Sequence, residues 1–391
     1  MHPCRALYPE IYFYLMKKFI CAIAVIASVV ACAPKNDIIL FPVSDFETVV
    51  DGKNVSLYTL KAGDLVMQVT NFGGRVVSLW TPDRDGHYED VVLGYNNIDS
   101  YINNKGERFL GAVVGPYANR IADGTYTIGD ETYSFPKNNN GQTLHGGDLG
   151  LDMVVWDVKT VDDSTLVMSY VHADGQEGMP GNLKIEMVYQ LMCDNSFGVT
   201  YSATTDKPTH VNLSHHSFFN LKGEGNGTIN DHILYINGSY TTPVNEVLIP
   251  SGEIADVTGT PFDFRVPKEI GADLEVENEQ LSNGGGYDHN WIIDRVSENE
   301  DDIEFIAFVH EPVSGRMMAV HTNQPALQFY GGNFFDGTTE GKYGKALRYR
   351  ESFALETQKY PDSPNHENFP STLLNPGETY THFCIYHFSV K

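Results

Sequence analysis

Positive charge is scarce in this chain. Lys and Arg number 26 against 51 Asp and Glu in 391 residues, a net charge of −25. So acidic a protein repels nucleic acid and anionic membrane surfaces and disfavours phosphorylated substrates. A Walker loop, a GxSxG elbow and a Rossmann glycine pattern are all missing, which removes the commonest phosphate, acyl and nicotinamide chemistries. His210, His215 and His216 lack HxH or HExxH spacing, so neither a metal site nor a cofactor is expected. Long helical periodicity is scarce, and there is no internal repeat or low-complexity linker.

The long apolar run Phe19–Ala31 is too short for a bilayer-spanning helix, which needs about 20 residues. It follows a basic Met16-Lys17-Lys18 and ends in Val29-Val30-Ala31-Cys32. This reads as an export signal over residues 1–31, with Met16 as an alternative start. The last four residues resemble a bacterial lipobox, which makes Cys32 the expected lipidation site and new N-terminus. An ordinary signal peptide that happens to contain a Cys is the plainer reading. Cleavage removes Arg5, Lys17, Lys18 and Glu10 and moves the charge to −27. Residues 32–45 then form a tether. The expected location is the cell envelope or periplasm, with membrane contact only through the anchor. Of five cysteines, Cys193 and Cys384 remain beyond Cys32, and two buried thiols are the simplest expectation.

Beyond the tether, short alternating runs recur about every ten residues: Val55 to Leu60, Leu65 to Asn71, Arg75 to Trp80, Thr165 to Val171, Leu183 to Met192, Trp291 to Asp294, Ile303 to Val309, Met317 to His321 and Tyr380 to Val390. Gly129-Asp130 between Thr125 to Ile128 and Glu131 to Phe135 is a hairpin signal. A short helix is expected around Tyr101 and Ile102. The pattern predicts an all-β fold, a large antiparallel sandwich, as one domain over 46–391.

Two passages set titratable groups among apolar neighbours: Asn212-Leu213-Ser214-His215-His216-Ser217-Phe218-Phe219-Asn220-Leu221 and Ala354-Leu355-Glu356-Thr357-Gln358. Burying such groups is costly unless they are paired or used. Side chains alternate along a strand, so only one of His215 and His216 faces a pocket. A His and a carboxylate on one pocket make a general acid and a general base. His145 precedes Gly146-Gly147, which let a ligand approach the backbone closely or serve only the turn. Asn119-Arg120 brings a cation that needs a partner if buried. Asp288, after Gly284-Gly285-Gly286, lies at a binding-loop edge or caps a turn. Gln328 orients a hydroxyl or satisfies the sheet.

In order along the chain, Asn119-Arg120-Ile121 with Gly124, Leu144-His145-Gly146-Gly147, Asn212 to Leu221, Gly286-Tyr287-Asp288-His289, Gln328-Phe329-Tyr330 with Gly332-Asn333, and Leu355-Glu356-Thr357-Gln358 with Pro361-Asp362-Ser363-Pro364-Asn365 resemble the aldose 1-epimerase (galactose mutarotase) family. Departures are Pro116, where the family often has Arg, Phe218, where it usually has Tyr, and His215, where it often has a small polar residue. The resemblance implies a twisted antiparallel sandwich with an open cleft on a concave sheet face. It implies Glu356 as general base, His216 as general acid and His145 as a further catalytic imidazole near the ring oxygen. Asn119, Arg120, Asp288 and Gln328 are implied as sugar contacts. The implied reaction interconverts the anomers of free aldohexoses such as glucose and galactose without a cofactor. The partner is a small sugar, with no nucleic acid, and a monomer is expected. A hexose-6-phosphate epimerase, a non-catalytic sugar-binding lipoprotein and a glycosidase using Asp288 and Glu356 are the competing readings.

Overall fold

The computed structural model describes residues 38–391 other than Lys105. The export segment, Cys32 and the tether as far as residue 37 lie outside the described residues. Strand follows strand, and every ladder pairs antiparallel. The largest sheet has nine strands: Asp157–Val161, Thr165–His172, Leu183–Leu191, Ser196–Thr204, Tyr380–Val390, Arg316–Thr322, Glu304–His310, Ile233–Ile236 and Lys268–Glu269, in that spatial order. A five-stranded sheet runs Ala255–Asp256, Tyr240–Thr241, Asp288–Ile292, Ala326–Tyr330, Ala354–Gln358. A four-stranded sheet carries Leu57–Ala62, Leu65–Thr70, Arg75–Pro82 and Tyr88–Asp90.

Alternation decides which side each residue faces. Leu183, Ile185, Met187, Tyr189 and Leu191 turn inward, and so do Phe197, Val199, Tyr201 and Ala203 on the next strand. They meet Leu327, Phe329 and Leu355 of the five-stranded sheet in one apolar cluster. That packing is the sandwich. It leaves the even-numbered residues of the smaller sheet on its opposite face.

The hairpin at Gly129-Asp130 forms with Glu131 opposite Ile128, and the short helix spans Ile98–Ile102. Three sequence expectations are corrected. Ser196–Thr204, a central strand, was not expected. The strand expected at Trp291 to Asp294 starts earlier, at Asp288, and ends at Ile292. A helix, Glu279–Gly284, capped by the Asn278 side chain, precedes it. Cys384 is buried as a free thiol, but Cys193 is exposed, because it lies where the chain turns between two strands of the large sheet. The expectation of two buried thiols fails there.

Candidate active site

The face of the five-stranded sheet turned away from the core carries a grid of polar groups. Asn290 pairs with Gln328, and Gln328 with Glu356, so these three form one row across three strands. The neighbouring row is Asp288, Tyr330, Ala354. Directly opposed side chains lie about 4.5–5.5 Å apart at Cβ. Asp288 therefore stands in a strand, one row from Glu356, rather than at a flexible loop edge.

A second element brings the imidazoles. Ser214–His216 pairs with Ala112–Val114. His216 faces the grid, with Nε2 3.4 Å from Glu356 Oε1. His215 points the other way, against Tyr189 Oη at 3.1 Å and Ser217 Oγ at 2.7 Å, where it is a core residue. The two candidates 140 positions apart therefore converge. The rings of His145 and His216 stand 5.2 Å apart and perpendicular.

His145 is held by the backbone. Its N–H donates to Asn119 O at 3.1 Å, and the Asn119 N–H donates to its Nδ1 at 3.0 Å. Both residues adopt left-handed backbone conformations to make this clasp. An amide N–H aimed at Nδ1 places the proton of neutral His145 on Nε2. His145, His216 and Glu356 offer ligand atoms within 4.8 Å of one another, a spacing that a metal ion bridges. The His145 tautomer argues against it, because a protonated Nε2 has no lone pair to give. The structure brings these three sequence candidates together at distances over which protons can be exchanged.

Arg120 makes no ion pair within 4 Å among the described residues. Its Nε donates to Asn139 Oδ1 at 3.3 Å, and its buried charge acts on Asp288 and Glu356. Asn119 is buried beside it, with Oδ1 taken by the Arg120 N–H. Gln328 Nε2 donates to Asp288 Oδ1 at 2.7 Å. Gln328 therefore orients Asp288 and leaves its own Oε1 unpartnered, as Glu356 Oε2 also is.

Burial dominates the electrostatics. It pushes Glu356 well above the usual carboxylate range, with Asp288 adding repulsion and Arg120 opposing it. It raises Asp288, against Arg120 and the Gln328 bond. It lowers His216 to about 4 and His145 well below an ordinary imidazole, with help from His216, Arg120 and Arg108. Burial thus favours the uncharged form of both members of the 3.4 Å pair, a carboxylic acid beside a neutral imidazole.

Of the walls, only Phe218 was singled out in the sequence. The Phe109 ring lies 4.6 Å from His145 and 6.0 Å from His216. Phe218 lies 4.8 Å from His216. Arg108 packs over Phe109 at 5.1 Å and grips Asp152 with two bonds of 2.7 and 2.9 Å. Arg75, fully buried, donates to the same Asp152. Position 116 offers no cation, but these two guanidiniums lie close by. No local motif flags them. The alternation Asp288, Asn290 in the strand was the one available signal for Asn290.

The aldose 1-epimerase family model matches residues 56–387. The chain belongs to the aldose 1-epimerase family. It is 41% identical over 336 residues to the galactose mutarotase of Bos taurus, covering 86% of this chain and 94% of the relative. It is 35% identical over 342 residues to the aldose 1-epimerase of Escherichia coli, covering 86% and 96%. Among solved structures, an aldose epimerase homologue from C. elegans matches with a TM-score of 0.78 at 27% identity, covering 86% of this chain and 99% of that one. Galactose 1-epimerase from Lactobacillus acidophilus matches with 0.75 at 28% identity, covering 88% and 97%. This aldose 1-epimerase family member is an enzyme, an epimerase acting on sugars, and its β-sandwich is that of galactose mutarotases.

Proposed function

We propose that this epimerase opens and recloses free aldohexoses by proton transfer between Glu356, His216 and the sugar. The observation that carries this reading is the 3.4 Å approach of His216 Nε2 to Glu356 Oε1 in a buried cleft. Mutarotation removes the proton of the anomeric hydroxyl and delivers one to the ring oxygen, and the C1–O5 bond then breaks. Rotation about C1–C2 presents the other carbonyl face, and the steps reverse. Moving the shared proton from Glu356 to His216 creates the working pair, a carboxylate base and an imidazolium acid. After ring opening the proton is back on Glu356, so closure runs from the pair's own resting state. His145, locked as an Nε2–H donor, supports the ring oxygen. Asp288, Arg120, Asn119 and Gln328 hold the remaining hydroxyls while the C1 end turns. Each placed proton donor or acceptor contributes about 10²–10⁴-fold, enough for a reaction that already proceeds slowly in water.

Polarimetry of freshly dissolved α-D-galactose and α-D-glucose tests this. Relaxation faster than buffer is expected for both, and none above buffer for glucose 6-phosphate. The chain is strongly acidic, with a net charge of −25, which disfavours a phosphate dianion. Efficient turnover of the phosphate with none of the free sugars overturns the free-aldose reading in favour of the phosphate epimerase.

The pH profile follows from the pair. Activity needs one proton on it. The acid limb of kcat/KM is expected near 4, where His216 gains a second proton. The alkaline limb is expected well above the ordinary carboxylate range, where Glu356 releases its proton. A single sigmoid rising near an unperturbed imidazole pKa is inconsistent with this proton sharing.

For location, the basic stretch and apolar run before Cys32 support a lipid-anchored envelope protein. Such an enzyme re-equilibrates the single anomer that hydrolases release. Radiolabelled palmitate incorporation, lost in Cys32→Ser, is its test.

A further inference from the structure

The polar grid has one end covered by aromatic rings and an open end beside exposed ones. Along the site strands the rows run from Ile292, Ala326, Gln358, through Asn290, Gln328, Glu356, to Asp288, Tyr330, Ala354. At the first end Ile292 and Ala326 are covered by Tyr360 and Phe369. At the other the chain passes into Gly284–Tyr287 and Gly331–Phe335. There Phe334 is 59% exposed, the most exposed aromatic side chain among the described residues.

An exposed Phe forgoes about 1.5–3 kcal/mol of burial, yet this one is held firmly. Its ring stacks on Tyr330 at 5.7 Å, and its N–H donates to Tyr330 Oη at 3.1 Å. The neighbouring Asn333 pins the loop through Nδ2 to Gly284 O and Tyr287 O at 3.0 and 2.8 Å. Phe335, next along, is buried against Phe218. A second exposed ring, Tyr349, lies across Gly285. Its hydroxyl is 3.4 Å from Gly285 O, a Cβ at Gly285 would touch the Phe334 ring at 3.9 Å, and Arg350 packs over Tyr349 at 4.5 Å. A polar groove of about 560 Å³ lined by Asn278, Ser282, Gly286 and Arg350 adjoins them.

We propose that Phe334 and Tyr349 form an outer subsite that stacks the second pyranose of a 1→4-linked reducing oligosaccharide. This rests on the mutarotase assignment of Glu356 and His216. A pyranose with C1 at that pair and its hydroxyls toward Asp288 has C4, across the ring from C1, aimed at the open end. A glycosidic bond at O4 carries the next ring out over Phe334. Rigid aromatic rings with one bare face supply contact area at little entropic cost, and the groove's amide, hydroxyl and guanidinium groups pair with sugar hydroxyls.

The test is anomer relaxation of freshly dissolved β-maltose, β-cellobiose and β-D-glucose by the parent, Phe334→Ala and Tyr349→Ala. The parent is expected to show a higher kcat/KM for at least one disaccharide than for glucose. Each variant is expected to lower that ratio about tenfold, chiefly through the disaccharide KM. Phe334→Leu, which keeps an apolar side chain in the same loop, is expected to fall between. A parent ratio of one or below for both disaccharides overturns the subsite, as does a ratio that neither variant moves. Absence of glucose relaxation by the parent instead sinks the catalytic assignment, and the subsite with it.

Discussion

Glu356→Gln is expected to bring the polarimetric relaxation of glucose and galactose close to the buffer rate while leaving the protein folded. The amide has the size of the carboxyl and lies in the same row as Gln328 and Asn290, but it has no basic oxygen to accept the anomeric proton. Loss of one placed base costs about 10²–10⁴-fold. Stability separates this from a folding defect. Burial raises the folded-state pKa of Glu356, so the folded chain binds that proton more tightly than the unfolded chain. The resulting stabilisation is complete below the ordinary carboxylate range and is lost as pH climbs through the raised value. The Gln variant cannot ionise. Its denaturation midpoint is expected to match the parent near about pH 4 and to exceed it increasingly toward about pH 8. Parent-like turnover in this variant would remove Glu356 from the chemistry.

Asp152→Ala is expected to be the most destabilising single change near the site, by about 3–5 kcal/mol. Asp152 is fully buried between two guanidiniums. Arg108 depends on it through two bonds, whereas Arg75 retains carbonyl acceptors on Arg108 and Leu110 at 2.8 and 3.0 Å. Removing the anion leaves two buried or half-buried cations facing each other, and the cost comes from those orphaned charges rather than from the lost attraction. Denaturant unfolding of Asp152→Ala and of Asp152→Ala with Arg108→Met checks this. The double variant is expected to recover a substantial part of the loss. Equal instability of both would mean that side-chain volume, not charge, is what position 152 supplies.

What the sequence made legible follows the range over which each signal acts. Glu356 and His216 stood out because each interrupts an apolar run, a local anomaly that only use or pairing offsets. Their meeting was implied by resemblance and needed the fold to bring it about. The strand at Ser196–Thr204 went unread although Phe197, Val199, Tyr201 and Ala203 alternate, because Gly198 and the interleaved Ser and Thr residues weaken its apolar signal. The start at Asp288 was obscured by Gly284-Gly285-Gly286, which reads as punctuation but caps a helix whose C-terminus feeds the strand directly. Phe109 gave no signal, since its role depends on rings 36 and 107 positions away. The Arg75–Asp152 pair, 77 residues apart, is equally silent: a buried charge network is a property of the packing.

The clasp between Asn119 and His145 leaves the two active-site imidazoles unequal. With one nitrogen spoken for by a main-chain amide, His145 can lend a hydrogen but never take one in exchange without breaking the strand pairing that positions it. It is therefore no understudy for its neighbour: when position 216 is lost, the second ring stands 5.2 Å away and still cannot shuttle. Under the proposed mechanism, the fold makes turnover dependent on one imidazole by the way it ties down the other.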